Sequence, residues 1–284
     1  MNLWIYAKSS HRDTLDNVRR CSAITNALSE FEPTLCTSDY RAASIARDTM
    51  GVKNAMGIDA MGNLPHTIER LDILIYDNED VTKEMDQQMQ EFCSKLFSLG
   101  RDLPLDIIDQ SYLSPTTNKI EKAVFFGDDD YDRWFVDFCK GSKKYDVPLL
   151  NGNYFFLDTK KEFENSFKEV LDEEQYIQSV KGTKFLLSGS IHTSLESLAS
   201  GNKPVFFMCK EEPKSTFDIL DKYNIPFVKA NNLDELMQKY DKVVKNYPQI
   251  KKIQIYDFSV IKKKISSVFR KYKDMKPAMD YGYV

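Results

Sequence analysis

The sequence predicts an α/β protein of two lobes, each a doubly wound parallel sheet, with a cleft between them. Three observations predict it. Short apolar runs bounded by Gly, Asp or Ser recur along the 284 residues, as they do in strands covered on both faces. Stretches of helical period separate these runs, and such alternation implies parallel sheets with helices on both sides. A break rich in Pro, Ser, Thr and Asn over residues 102–122 then divides the chain into halves, each large enough for one such unit.

The first strand is residues 3–7 (LWIYA), an apolar run too short to be a signal peptide. A helix follows over residues 16–31, where Val18, Cys21, Ile24, Ala27, Leu28 and Phe31 recur at spacings of three and four. Residues 34–37 and 71–76 (LDILIY) are the next strands. Residues 81–99 carry Met85, Met89, Phe92, Leu96 and Phe97 at helical spacing, and Gly100 is a natural stop. Beyond the break, strands are expected at residues 123–126, 185–187, 204–208 and 225–228. Helices are expected over residues 130–139, 160–171, 192–200, 214–223 and 233–244, and a last one over 253–273. The limits that follow are 1–115 for an N-terminal Rossmann-like lobe, 116–252 for a C-terminal Rossmann-like lobe, and 253–284 for a helix and tail.

Composition narrows the class. Hydrophobic residues at 42% and charged residues at 29%, with only 11 Gly and 10 Pro, exclude a disordered, collagenous or low-complexity chain. The five cysteines are dispersed and form no C-x-x-C, which argues against a disulfide framework or a zinc knuckle and for reduced core thiols. No run approaches the roughly 20 apolar residues of a membrane span, so a cytoplasmic protein is expected. The net charge of −4 lacks a global nucleic-acid footprint. Residues 239–276, however, hold twelve basic and three acidic residues, which is +9 and leaves −13 elsewhere. Such a segment is either a solvated helix face or a surface for phosphates and anionic lipid heads.

In open α/β sheets, ligands bind beyond the carboxyl ends of the strands, and that rule selects four loops. Residues 8–17 (KSSHRDTLDN) are polar, carry His11 and Asn17, and precede Arg19 and Arg20; cations at a helix start suit a phosphate or carboxylate. The loop has no glycine, so neither G-x-G-x-x-G nor a P-loop is present. Residues 77–80 (DNED) place Asp77 where it can hold a hydroxyl or act as a base, or serve with its neighbours as ordinary first-turn acids. Residues 127–130 (GDDD) offer Gly127 for close backbone approach; their aspartates are read as first-turn acids rather than as metal ligands.

The fourth loop lies in FLLSGSIHTSLESLASGNKPVFF. Ser188, Gly189 and Ser190 are expected to present unencumbered backbone N–H groups at a helix N-terminus, a cradle for phosphate. His192 can donate to the same anion or sit there with no ligand. Thr193 adds a hydroxyl, and Glu196, one turn on, can accept from both hydroxyls of a ribose.

The spacing Ser-Gly-Ser-x-x-Thr-x-x-Glu-x-x-x-x-Gly-x-x-Pro, from Ser188 to Pro204, resembles the C-terminal-lobe signature of GT-B glycosyltransferases. It is most similar to the MurG-like group, which includes the nucleotide-sugar hydrolase of the pseudaminic acid pathway. The resemblance implies a GT-B-like fold, a nucleotide-diphosphate sugar as substrate with UDP as the default, and no separate cofactor or metal. It also implies that Ser188–Ser190, Thr193 and Glu196 hold the nucleotide. In the hydrolase a G-H-x-x-R element supplies the catalytic histidine; the matching stretch here is Asp16-Asn17-Val18-Arg19-Arg20, and asparagine exchanges no proton near neutral pH. Transfer to an unidentified acceptor, with His11 or Asp77 as base, is therefore the expected activity, in surface glycan or glycoconjugate synthesis. Hydrolysis of a UDP-sugar is the alternative, followed by a nucleic-acid-directed or inactive relative.

Overall fold

The computed structural model describes residues 1–10, 14–114, 116–117, 119–152 and 159–280. It resolves into two compact units. One comprises Met1–Ser9, Asn17–Ile107 and Ile255–Val284; the other comprises Ser10–Asp16 and Ile108–Gln254. The class of fold is the expected one, two α/β domains built on parallel sheets.

The first unit contains, in chain order, β1 (Leu3–Ala7), α1 (Asp16–Ala27, from residue 17), β2 (Thr34–Thr37), α2 (Tyr40–Thr49), β3 (Ala55–Gly57), β4 (Ile73–Asp77), α3 (Lys83–Phe92) and β5 (Lys95–Ser98). Its sheet runs β3-β2-β1-β4-β5, every pair parallel. The central strands β1 and β4 align Leu3 with Ile73 and Ala7 with Asp77. All five residues of β4 are buried, because a parallel strand covered by helices on both sides has no solvent face.

The second unit holds β6 (Ile120–Phe125), α4 (Trp134–Cys139), β7 (Leu149–Leu150), α5 (Lys160–Phe163), β8 (Val170–Leu171), α6 (Tyr176–Gly182), β9 (Thr183–Ser188), α7 (Ile191–Ala199), β10 (Lys203–Phe207), α8 (Lys214–Tyr223), β11 (Phe227–Val228) and α9 (Leu233–Lys245). Its parallel sheet runs β8-β7-β6-β9-β10-β11. That is the strand order of a dinucleotide-binding sheet, and the order reverses between β6 and β9. Two apolar layers cover it: Phe135, Phe163, Phe167, Leu187, Phe207 and Leu236 on one side, Phe125, Leu186, Tyr176 and Val180 on the other. The last helix, α10 (Ser259–Asp280), belongs to the first unit, with Ile261 and Ile265 buried and Phe269 stacked on Phe31.

Several element limits differ from expectation. The helix expected over 81–99 stops at Phe92; Cys93 turns extended, and Leu96 and Phe97 are core residues of β5. Apolar spacing of three to four spans a helix and the next strand equally well once a tight turn joins them, which is why the period misled. The same fusion occurs at 160–171, where α5 ends at Phe163 and Val170 opens β8. Helix α1 stops at Ala27, and a 3₁₀ turn with Glu32 left-handed completes the expected stretch. The short elements β3, β7 and α6 carry too few residues to register as periods; α2, ten residues long, buries only Ala42, Ala43 and Ala46, which make no strong apolar stripe.

Candidate functional site

The carboxyl ends of β6 and β9 meet at the point where strand order reverses in the second unit, which is where an open α/β sheet leaves a crevice for a ligand. Phe125 pairs with Ser188, and the Gly189 N–H donates to the Phe125 carbonyl at 2.9 Å. A Cβ on Gly189 would run into the carbonyl oxygen of Phe126. The Gly152 backbone approaches Gly127 and Asp128 as closely. Gly189 and Gly152 are thus fixed by backbone crowding, whereas a Cβ on Gly127 would meet only a Thr14 methyl at 4.0 Å.

Ser190 caps α7: its backbone is extended and its Oγ accepts from the Thr193 N–H at 2.9 Å. The same hydroxyl donates to Asp16 Oδ1 at 2.6 Å, and the His192 N–H donates to Asp16 Oδ2 at 3.3 Å. A carboxylate of the second unit is therefore seated on the tip of α7. The positive end of the helix dipole and its orphan N–H groups attract the nearest anion, and the chain supplies one. The amides of the turn before the helix are also engaged. Ser190 N–H donates to Ser188 Oγ at 3.1 Å, and that hydroxyl donates to Ser190 O at 3.0 Å. The expectation of unencumbered amides at Ser188, Gly189 and Ser190 is thus corrected: each described donor has a partner, because a buried N–H left alone costs too much.

One turn on, Glu196 Oε2 accepts from the Tyr176 hydroxyl at 2.6 Å, and Tyr176 lies 2.7 Å from Thr193 Oγ1. A phenol has one proton, so the Thr193 hydroxyl is the donor to Tyr176. Glu196 Oε1 stands 3.7 Å from His192 Nε2. These groups are almost wholly buried, with Glu196 only 2% exposed. His192, Thr193 and Glu196 are brought together as the spacing implies, within a closed polar network that Tyr176 completes.

The aspartates after β6 have structural partners. Asp128 Oδ2 accepts from the Leu15 N–H at 2.9 Å, and Asp130 caps α4 through the N–H groups of Phe135 and Val136 at 2.8 and 3.0 Å. Burial raises the Asp130 pKa despite those two bonds. Among the described residues, no group of three His, Cys, Asp or Glu side chains is placed to hold a metal ion.

In the first unit, Asp77 ends β4 and its Oδ2 accepts from Arg20 Nε at 2.9 Å, both side chains being buried. Arg20 also donates to Leu105 O at 2.9 Å and to Asn17 Oδ1 at 3.0 Å, while Asn17 Nδ2 donates to Glu79 Oε2 at 3.3 Å. Asn17 thus links a buried cation to an exposed acid. His11 lies outside the described residues. Sequence reasoning missed Asp16 and Tyr176 as partners of this site. No signal in the chain ties Asp16 to Ser190, 174 residues on, and Tyr176 belongs to a helix too short to detect.

No protein-family model matches the chain, and no curated protein matches it. Solved structures do. The UDP-GlcNAc 2-epimerase of Methanocaldococcus jannaschii, in complex with UDP-GlcNAc and UDP, aligns over 97% of this chain and 99% of its own, at TM-score 0.52 and 10% identity. The fold is GT-B. The glycosyltransferase SnogD of Streptomyces nogalater aligns over 85% of this chain and 90% of its own, at TM-score 0.48 and 10% identity. The heptosyltransferase WaaC of E. coli with ADP aligns over 86% and 98%, at TM-score 0.42 and 14% identity. At such identities the likeness concerns fold alone. Among the described residues, no helix is long and apolar enough to cross a membrane.

Proposed function

We propose that this protein is a glycosyltransferase that takes its sugar from a nucleoside-diphosphate donor held by the second unit, beyond β6 and β9. One observation carries the reading: at the strand-order reversal of a dinucleotide-binding sheet, the tip of α7 already binds an anion, the carboxylate of Asp16. A diphosphate takes the same donors, Ser190 Oγ and the His192 N–H, after Asp16 withdraws. The shared fold supports the reading, since the archaeal epimerase was captured with UDP-GlcNAc and UDP. Ser188, Gly189 and Gly127 then form the wall around the phosphates, and Thr193 and Glu196 turn from Tyr176 toward the ribose hydroxyls.

In the transfer step the bond between the anomeric carbon and the diphosphate oxygen breaks while an acceptor oxygen bonds to that carbon. The tip of α7 stabilises the charge that grows on the departing diphosphate, so no metal is needed for that task. His11 is the proposed base for the acceptor; Asp77, gripped by Arg20, serves better to orient than to accept a proton. Hydrolysis by the pseudaminic-pathway route is disfavoured because Asn17, in place of the histidine, holds Arg20 and Glu79 and exchanges no proton.

The test is a thermal-shift and calorimetric series with UDP, GDP, CDP, TDP and ADP on the wild type, Asp16→Ala and Ser190→Ala. One nucleotide should raise the melting temperature of the wild type. Asp16→Ala should bind it more tightly, because the competing carboxylate is gone, and Ser190→Ala more weakly. Absence of any shift, or equal affinity in all three proteins, would exclude the reading.

A further inference from the structure

We infer that the outer face of α10, with the segment just before it, is a docking surface for an anionic phospholipid bilayer. The inner face of this helix is spent on the first unit: Ile261 and Ile265 are fully buried, Phe269 stacks on Phe31 with centroids 5.9 Å apart, and Lys262 pairs with Glu30 at 2.8 Å. The outer face is cationic. Residues 259–273 contain six Lys or Arg and no acid. Lys263, Lys264, Arg270, Lys271 and Lys273 are exposed, and the helical repeat places 263 with 270 and 264 with 271. Lys263 feels the nearby Asp257 carboxylate. Lys264, Arg270, Lys271 and Lys273 have no ion-pair partner among the described residues.

Charge complementarity selects a polyanion, and the apolar neighbours select which one. Ile255 is 61% exposed and Val260 is 54% exposed, side chains that gain nothing from water or from a phosphate backbone but enter the hydrocarbon edge of a bilayer. Cations flanked by exposed aliphatics on a helix lying flat are the arrangement that sits at a lipid headgroup plane. Since the apolar face of α10 is already used, attachment is chiefly electrostatic and therefore reversible and salt-sensitive.

Co-sedimentation of the full chain with phosphatidylcholine vesicles, with and without phosphatidylserine, tests this. Sedimentation should require phosphatidylserine and disappear at high salt. The triple variant Lys264→Glu, Arg270→Glu, Lys271→Glu should lower partitioning by at least about a hundredfold, since each surface cation contributes about fivefold. Its melting temperature should be unchanged, because none of the three side chains has an ion-pair partner among the described residues. Ile255→Ser with Val260→Ser should weaken vesicle binding and leave any binding to duplex DNA as it was. No sedimentation at low salt, sedimentation unchanged in the triple variant, or duplex DNA bound more tightly than the vesicles at equal salt would each overturn the inference.

Discussion

Arg20 and Asp77 show how a residue's company decides its work. Asp77 stands at the carboxyl end of a central strand, the position of a catalytic acid in many α/β sheets, but a buried guanidinium holds it at 2.9 Å. Replacing Arg20 by Met leaves a buried carboxylate without its counter-charge, and urea denaturation should report a loss of roughly 3 to 5 kcal/mol. Gly189 belongs to the same scale. Gly189→Ala drives a methyl into the Phe126 carbonyl, and the expected cost is about 1 to 3 kcal/mol, with nucleotide affinity lowered as β9 and β6 are pushed apart. The cysteines give a third check. Burial pushes the Cys36 and Cys93 thiols up to about 12 and, with the charge of Glu212, the half-buried Cys209 up to about 11. At pH 8 roughly one in a thousand Cys209 side chains is then thiolate. A thiol reagent should react slowly with the native protein and rapidly with all five cysteines once it is denatured; rapid labelling of the folded chain would contradict the packing.

Helix α7 is the element on which sequence and structure meet. Its limits, expected at 192–200 and found at Ile191–Ala199, and the placement of Thr193 and Glu196 one turn apart were legible, because helical period and a terminating glycine are written locally; that Ser190 caps it was not read. What its N–H groups bind was not, because that depends on where residue 16 ends up. Ser190→Ala removes both the cap and the hydroxyl that Asp16 accepts from, and should cost about 1 kcal/mol of stability. Tyr176→Phe should weaken nucleotide binding less than Glu196→Gln, since Glu196 leaves the phenol when it takes the ribose hydroxyls. The elements that escaped prediction share a physical cause. β7 and β8 have two residues each and β3 has three, so no alternation can be read from them. β5 was absorbed into the preceding helix because Leu96 and Phe97 continue its apolar spacing by coincidence.

For the whole molecule, strand order was the quantity no local pattern contains. Alternation of strand and helix predicts parallel sheets, and two were found, but the reversal between β6 and β9 follows from long-range pairing alone. That reversal brings residues near 127 and 189, expected separately from their loops, to neighbouring strand ends. The packing of α10 into the first unit was equally hidden, since its cations read the same whether the helix is docked or free. If the α7 tip supplies the positive potential for the leaving diphosphate, sugar transfer should persist in EDTA at near its full rate; loss of turnover restored by Mg²⁺ would assign that charge to a metal instead. The most direct measurement is a crystal structure of Asp16→Ala soaked with the nucleoside diphosphate that stabilises the chain most. The account predicts phosphate oxygens within hydrogen-bond distance of Ser190 Oγ and the His192 N–H, with a ribose hydroxyl on Glu196. Electron density for the nucleotide elsewhere, with the tip of α7 left to water, would contradict it.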